Sequence, residues 1–154
     1  TRIDELTEFL NKICSQAIFD LTSGCSSLDT VTKVVSQLEN CEYTNAGIGS
    51  SLTRQGMVEM EAAVMESSNG LFGGVSCVRN VKNPVVLAKE LLTSQKKVTN
   101  ELIMPQYLSG DGTTQFALQH NIPLCENAIL LTKSSKKNHR KFLKLFNFPS
   151  SVYT

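Results

Sequence analysis

Histidine is scarce in this sequence: His120 and His139 are the only two in 154 residues. Both read as surface or helix-end residues, so a zinc site or a Cys/His nucleophile pair has little to be built from. The five cysteines, at 14, 25, 41, 77 and 125, are odd in number and show no C-x-x-C spacing. That pattern argues for free thiols and a reducing compartment. No apolar run approaches the roughly 18 residues of a membrane-crossing helix, and the charged start, TRIDELTEFLNK, has no signal-peptide core. There is no initiator Met, so a processed chain or a fragment is expected. There is no G-x-S-x-G, because Gly47-Ile48-Gly49-Ser50 has the wrong order for a nucleophile elbow, and there is no P-loop. The net charge of +1 gives no global pull toward nucleic acid or an anionic surface. Internal repeats and low-complexity linkers are also missing.

What is present is an ordinary globular composition, 41% hydrophobic and 19% charged, long enough for one domain with a core. Ile3, Leu6, Phe9, Leu10, Ile13, Ala17, Ile18 and Leu21 recur at three- and four-residue steps, which predicts a helix over 3–22 stopped by Gly24. Leu28, Val31, Val34, Val35 and Leu38 predict a second over 27–39, capped by Ser26 or Ser27. From 57 to 64 the period becomes two: Met57, Glu59, Glu61 and Ala63 alternate with Val58, Met60, Ala62 and Val64. That strand and a second over 71–79 form a hairpin across the turn ESSNG, with Gly73 and Gly74 marking a bulge or a close backbone contact. Glu59 and Glu61, on one strand face, read as solvated rather than as a pair of catalytic acids. Asn83-Pro84 opens another helix, with Asn as the cap and Pro in the first turn. The apolar segment 101–108 leads to Ser109-Gly110 and a helix over 111–120, ended by Asn121 and Pro123. The tail, 133–154, is basic and partly helical. The predicted class is α+β.

The stretch 38–92 carries more than periodicity. LENCEYTNAGIGSSLTRQGMVEMEAAVMESSNGLFGGVSCVRNVKNPVVLAKELL resembles N-terminal-nucleophile hydrolases of the asparaginase-2 type. They read N-A-G-x-G-S-x-L, a Gly-containing turn, V-E-M-D-A-x-I-M-D-G, a G-A-V strand and an N-P helix. Asn45, Ala46, Gly47, Gly49, Ser50, Leu52, Gly56, Glu59, Ala62, Met65, Gly74, Val75, Asn83, Pro84 and Ala88 fit that frame. Within the family, Thr44 before Asn45 and the run GDGTTQFALQHNIPLCENAILLT resemble the threonine aspartases (taspases), as does the basic run Lys136, Lys137, Arg140 and Lys141. Two stretches depart from the family: Met60-Glu61-Ala62 and Met65-Glu66-Ser67 stand where it has M-D-A and M-D-G, which suggests a divergent member or a loosened hairpin.

The resemblance implies a partial αββα four-layer sandwich, with 1–154 a single partial domain. It is the α-subunit portion, without the first strand and the catalytic β-subunit, and the helices over 3–22 and 27–39 cover one face of the sheet. It implies a nucleophilic Thr exposed by autoproteolysis, whose own α-amino group activates its hydroxyl. No segment for that Thr is found here, so this chain holds no catalytic residue and is expected inactive alone. The 45–49 loop is expected beside the Thr centre, with Asn45 donating through its amide and Ala46, Gly47, Gly49 and Ser50 shaping the support. No metal or cofactor is implied. The partners implied are a β-subunit carrying the Thr, in a heterodimer or (αβ)2 assembly, and protein substrates; no membrane partner is implied. The leading reading is an endopeptidase cutting after Asp in nuclear transcription regulators, placed in nucleus and cytoplasm. An L-asparaginase or isoaspartyl dipeptidase of the same fold is the alternative, and a non-catalytic fragment that binds its full-length relative is the third. Sheet edges left open by the missing strands would make the chain poorly soluble alone.

Overall fold

The structure, a computed structural model, describes residues 1–97 and 103–146. Its elements run α1 (Arg2–Thr22), α2 (Ser27–Glu39), β1 (Met60–Glu66), β2 (Leu71–Val78), α3 (Pro84–Gln95), β3 (Tyr107–Ser109), α4 (Asp111–Gln119) and α5 (Lys133–Leu145), with 3₁₀ turns over Gly47–Gly49 and Asn127–Leu130. The residues expected to punctuate the chain do so. Gly24, at φ +89°, ends α1: the Cys25 N–H donates to the Asp20 carbonyl at 3.0 Å and the Gly24 N–H to that of Leu21 at 3.1 Å. Asn121, at φ +56°, ends α4 in the same way, with the Ile122 N–H on the Ala117 carbonyl at 2.8 Å. Ser26 caps α2, its hydroxyl accepting from the Asp29 N–H at 3.0 Å.

The described sheet has the order β1-β2-β3, antiparallel between the first two strands and parallel between the last two. β1 begins at Met60 rather than 57 because the chain before it is held elsewhere: the Asn127 side chain accepts from the Val58 N–H at 3.0 Å and donates to the Val58 carbonyl at 2.8 Å. The period-two reading still assigns the faces, since Val58, Met60 and Val64 are buried while Glu61 and Ala63 are exposed. The bulge falls at Cys77, φ +53°, between the pairs Met60–Val78 and Ala62–Val75, and not at the glycines. It lets Val75 and Val78, three residues apart, both enter the core. The turn is not loosened by the missing glycine. Pairing continues to Glu66–Leu71, and the Asn69 side chain accepts from the Leu71 N–H at 3.1 Å.

One face of this sheet is covered by α3, whose Pro84, Val85, Leu87, Ala88, Leu91 and Leu92 are buried. α2 packs outside α3, and α1 packs on α2. The expectation that the first two helices cover the sheet is therefore corrected: α3 is apolar enough to sit between two layers, and α1 is peripheral. On α1, Ile13 is buried and Leu6, Phe9 and Ala17 half-buried, but Ile3, Leu10, Ile18 and Leu21 are exposed. Asp20 is buried in their place because Gln16 and Lys33 bond its carboxylate at 2.9 and 2.8 Å. On α2 Val31 is likewise exposed, and Leu28 carries the contact with the core. β3 was not foreseen: a three-residue parallel strand depends on pairing with β2, which local pattern does not encode. The first two residues of the 101–108 segment and the tail beyond 146 lie outside the described residues.

The other face of the sheet carries Glu61, Ala63 and Met65 of β1, Phe72, Gly74 and Ser76 of β2, and Tyr107 and Ser109 of β3. Met65 and Tyr107 are 67% and 55% exposed, so this half-apolar surface stands open in the chain as described.

The glycines at the sheet separate close approach from mere permissiveness. A Cβ on Gly73 would lie 2.2 Å from the Ala88 carbonyl oxygen and 2.8 Å from the Leu92 nitrogen, so it would push α3 off the sheet. Gly112, in the first turn of α4, has nothing within 4 Å of such a Cβ. Gly73→Ala should lower the unfolding free energy by roughly 1–3 kcal/mol, whereas Gly112→Ala should raise it by roughly 0.5–1 kcal/mol. Urea unfolding of the two variants, monitored by circular dichroism, measures both signs.

Candidate functional site

The stretch that carries the Asn-Ala-Gly-x-Gly-Ser pattern leaves the C-terminus of α2 and folds back on it. The Thr44 hydroxyl donates to the Leu38 carbonyl at 2.6 Å and lies 3.0 Å from that of Cys41, which ties the loop to the end of α2. Gly47, at φ +54°, is pressed onto the last helical residue; a Cβ there would meet the Glu39 carbonyl oxygen at 2.0 Å. Gly49 is pressed onto Thr44, with a Cβ 1.9 Å from the Thr44 carbonyl oxygen. Both glycines are therefore needed for contact of backbone with backbone. Ala46 begins the 3₁₀ turn, and Ser50 follows it as a buried residue.

All five residues singled out in the sequence thus sit in one loop. Asn45 is exposed at its edge. Its side-chain oxygen accepts from the Ser51 N–H at 2.9 Å, which fixes the orientation of the amide. The side-chain NH₂ of Asn45 is left without a recorded partner among the described residues. Asn45 lines two cavities. The smaller, 190 Å³, lies between the loop, Glu39, Pro84 and the start of β1, where Glu59 and Glu61 also contribute. Glu59 is ion-paired with Arg79, and Glu61 is exposed, as expected of a solvated strand face. The larger, 530 Å³, lies between the loop and α5 and is lined by Tyr43, Arg54, Asn138, His139 and Phe142.

His120 is a helix-end residue as expected, stacked on Phe116 and 2.9 Å from a Glu90 carboxylate oxygen. His139 is not at the surface. It lies in mid-α5 on the buried line Ser135, His139 and Leu143, its Nε2 3.2 Å from the Arg54 carbonyl oxygen. The basic run had drawn attention away from that four-residue spacing. The helix over 133–145 leaves Lys137, Arg140 and Lys141 exposed, with Lys136 half-buried. The five cysteines are free thiols. Among the described residues no three His, Cys, Asp or Glu are grouped to hold a metal ion. Thr1 caps α1, with its amine and hydroxyl on the Asp4 carboxylate at 2.7 and 2.6 Å, and opens no strand.

The residue that sequence reasoning missed is Glu39. It is 2% exposed, and its carboxylate accepts from the Val85 N–H at 3.0 Å and from the Asn83 side-chain NH₂ at 3.0 Å. Asn83 was expected to cap α3, yet its side chain makes no capping bond to that helix. Instead it donates to Glu39 and to the Ser36 carbonyl, and the cap is supplied by Glu39 from α2. The signal was there: a carboxylate in the last position of a helix opposes that helix's own dipole. Glu39 is tolerated because its side chain reaches the N-terminus of another helix. Burial pushes its acid up to about 6, against the opposing pull of the Asn83 and Val85 donors.

An α+β domain with one open sheet face and a glycine-tight Asn loop beside it defines the class, and comparison with known proteins agrees. The family model described as Asparaginase (Asparaginase_2) matches residues 1–152. The chain is 38% identical over 124 residues to the isoaspartyl peptidase/L-asparaginase of Xenopus laevis, covering 80% of this chain and 38% of that protein. It is 35% identical over 121 residues to the mouse protein of that name, covering 79% and 35%, and 32% identical over 140 residues to the rat protein, covering 91% and 40%. The chain belongs to the asparaginase-2 family of N-terminal-nucleophile hydrolases. It spans about 40% of the length of these curated relatives.

The raised acid of Glu39 has a definite sign in stability. Between pH of about 4.5 and about 6 the unfolded chain has released this proton while the folded chain still holds it. Stability attributable to Glu39 therefore falls as pH rises through that window, by about 2 kcal/mol in all, and is level above it. The lowered acids, Asp4, Asp20, Asp29 and Glu66, act with the opposite sign and below that window. In urea titrations of the parent chain and Glu39→Gln at half-unit pH steps, the difference between the two should slope from pH 4.5 to 6 and be flat from 6.5 to 8. A flat difference throughout would show that Glu39 ionises as freely as in the unfolded chain.

Proposed function

We propose that this chain is the α-side of an amidohydrolase of the isoaspartyl peptidase/L-asparaginase kind, supporting a threonine nucleophile supplied by a β-subunit. The observation that carries the reading is the Asn45 amide: its oxygen is tied to the Ser51 N–H, and the residue lines both the cavity toward β1 and the larger one toward α5. In the reaction the threonine hydroxyl attacks the amide carbonyl carbon while the threonine's own α-amino group takes the proton. The proton passes to the departing nitrogen, ammonia or an amine leaves, and water hydrolyses the threonyl ester. A fixed N–H donor beside the reacting centre favours the charge that develops during attack without reorganising. The names of the relatives, which join isoaspartyl peptidase and L-asparaginase, support this substrate class.

A second reading is favoured by one feature, the taspase-like run from Gly110 to Thr132 followed by the basic helix α5. In that reading the assembled enzyme cuts proteins after Asp in the nucleus and cytoplasm, with α5 binding acidic partners. The comparisons support the asparaginase side more than this one.

One assay separates the readings. The chain is assembled with a β-subunit bearing the N-terminal Thr and offered L-asparagine, a β-aspartyl dipeptide and an Asp-containing peptide. Release of ammonia and dipeptide cleavage should exceed peptide cleavage, and Asn45→Ala should lower all turnover by on the order of 10²–10³. Faster cleavage of the Asp-containing peptide would install the second reading. Turnover unchanged in Asn45→Ala would reduce the loop to a turn.

A further inference from the structure

Glu39 touches the site loop, the end of α2 and the start of α3 together. Its side chain holds the first turn of α3 through Val85 and the preceding Asn83. Its backbone carbonyl is the surface on which Gly47 rests, so closely that no side chain fits between them. The residue before it, Leu38, anchors Thr44. The loop is seated on the core through Ile48 and Leu52, and its Asn45–Gly47 end is seated on the end of α2. That end is tied to the start of α3 by the buried Glu39 carboxylate together with the Asn83 bond to the Ser36 carbonyl.

We propose that Glu39 is a positioning residue for the Asn45 amide, acting through Gly47 and Thr44 and tying the loop to the α3 terminus. This rests on the reading of the loop as the support of a threonine nucleophile. Protonated, the carboxyl loses one of its acceptor oxygens and must give up or weaken the bond to Val85 or to Asn83. The end of α2 then shifts, and the loop shifts with it. Few charges compete for this role. From β1 and the residue before it, Glu61 and Glu59 line the same small cavity, with Glu59 paired to Arg79. The first turn of α3 brings no ionisable group, Glu42 lines the larger cavity, and along α2 Asp29 and Lys33 are engaged with Lys89 and Asp20.

The test follows backbone amide resonances of Val85, Gly47 and Ser51 from pH 4.5 to 8 in the full chain, with Met65→Lys on the open sheet face to keep it monomeric. All three should shift with one midpoint near the value of about 6 set by Glu39. In Glu39→Gln all three should be flat, since the amide cannot titrate but can still accept from Val85. A Val85 that titrates while Gly47 and Ser51 do not would overturn the proposal. So would loop shifts that persist in Glu39→Gln, which would assign them to Glu59 or Glu61. Should Glu39→Gln fail to fold, the shared or separate midpoints in the parent decide alone. In the assembled enzyme, Glu39→Gln should lower kcat by on the order of tenfold with KM within about twofold, as expected of a displaced catalytic donor. A purely structural role would lower the melting temperature and leave the loop without a pH transition. The two ideas fail differently: a loop that titrates with Val85 beside an Asn45→Ala of parental activity sinks the functional reading and leaves this one standing.

Discussion

A carboxylate taken out of water must find donors, and those that Glu39 meets, Asn83 and Val85, lie at the start of another helix. That requirement ties the C-terminus of α2 to the N-terminus of α3, where the orphan N–H of Val85 needs an acceptor. Each end meets the other's need: the acid would oppose the dipole of its own helix, and it complements that of the next. The start of the site loop is built on this junction. Thr44 closes on the same helix end, Gly47 packs backbone on backbone against it and Gly49 against Thr44, and the Ser51 N–H holds the Asn45 amide oxygen.

The rest of the fold serves to hold that junction against the sheet. α3 sits on β1 and β2 at a distance only Gly73 permits, and α2 can follow α3 inward because α3 is buried on nearly every side. The result is a layered block with its apolar interior on one side and a sheet face carrying Met65, Phe72 and Tyr107 on the other. The loop and that open face border the same region of the molecule, because Glu59 and Glu61 at the start of β1 line the cavity that Asn45 also lines.

Much of this was legible in the residues. Period two placed Val58, Met60 and Val64 on one face, and Gly24 and Asn121 marked helix ends through the positive φ that each adopts. The loop was legible as a motif, with its glycines needed for close approach. What escaped depended on partners distant in sequence. Glu39 read as one more polar residue because its donors lie on α3. Asn83 read as a cap because its position is right for one, and a carboxylate from α2 took the work. Val58 left the ladder for Asn127, and the bulge moved to Cys77 so that both valines of β2 could be buried. On α1 the wide apolar stripe promised more burial than one neighbouring helix provides, and Asp20 went inside because Gln16 and Lys33 could satisfy it.

The central claim is that this block presents a preset amide to a nucleophile carried by another subunit. A crystal structure of the chain assembled with a β-subunit bearing the N-terminal Thr tests it directly. The account predicts the Asn45 Nδ2 at about 3 Å from the threonine hydroxyl or from a bound substrate-derived oxygen, with the Ser51 bond to its oxygen retained. An Asn45 side chain turned away from the threonine, or a loop separated from it by other residues, would contradict the account.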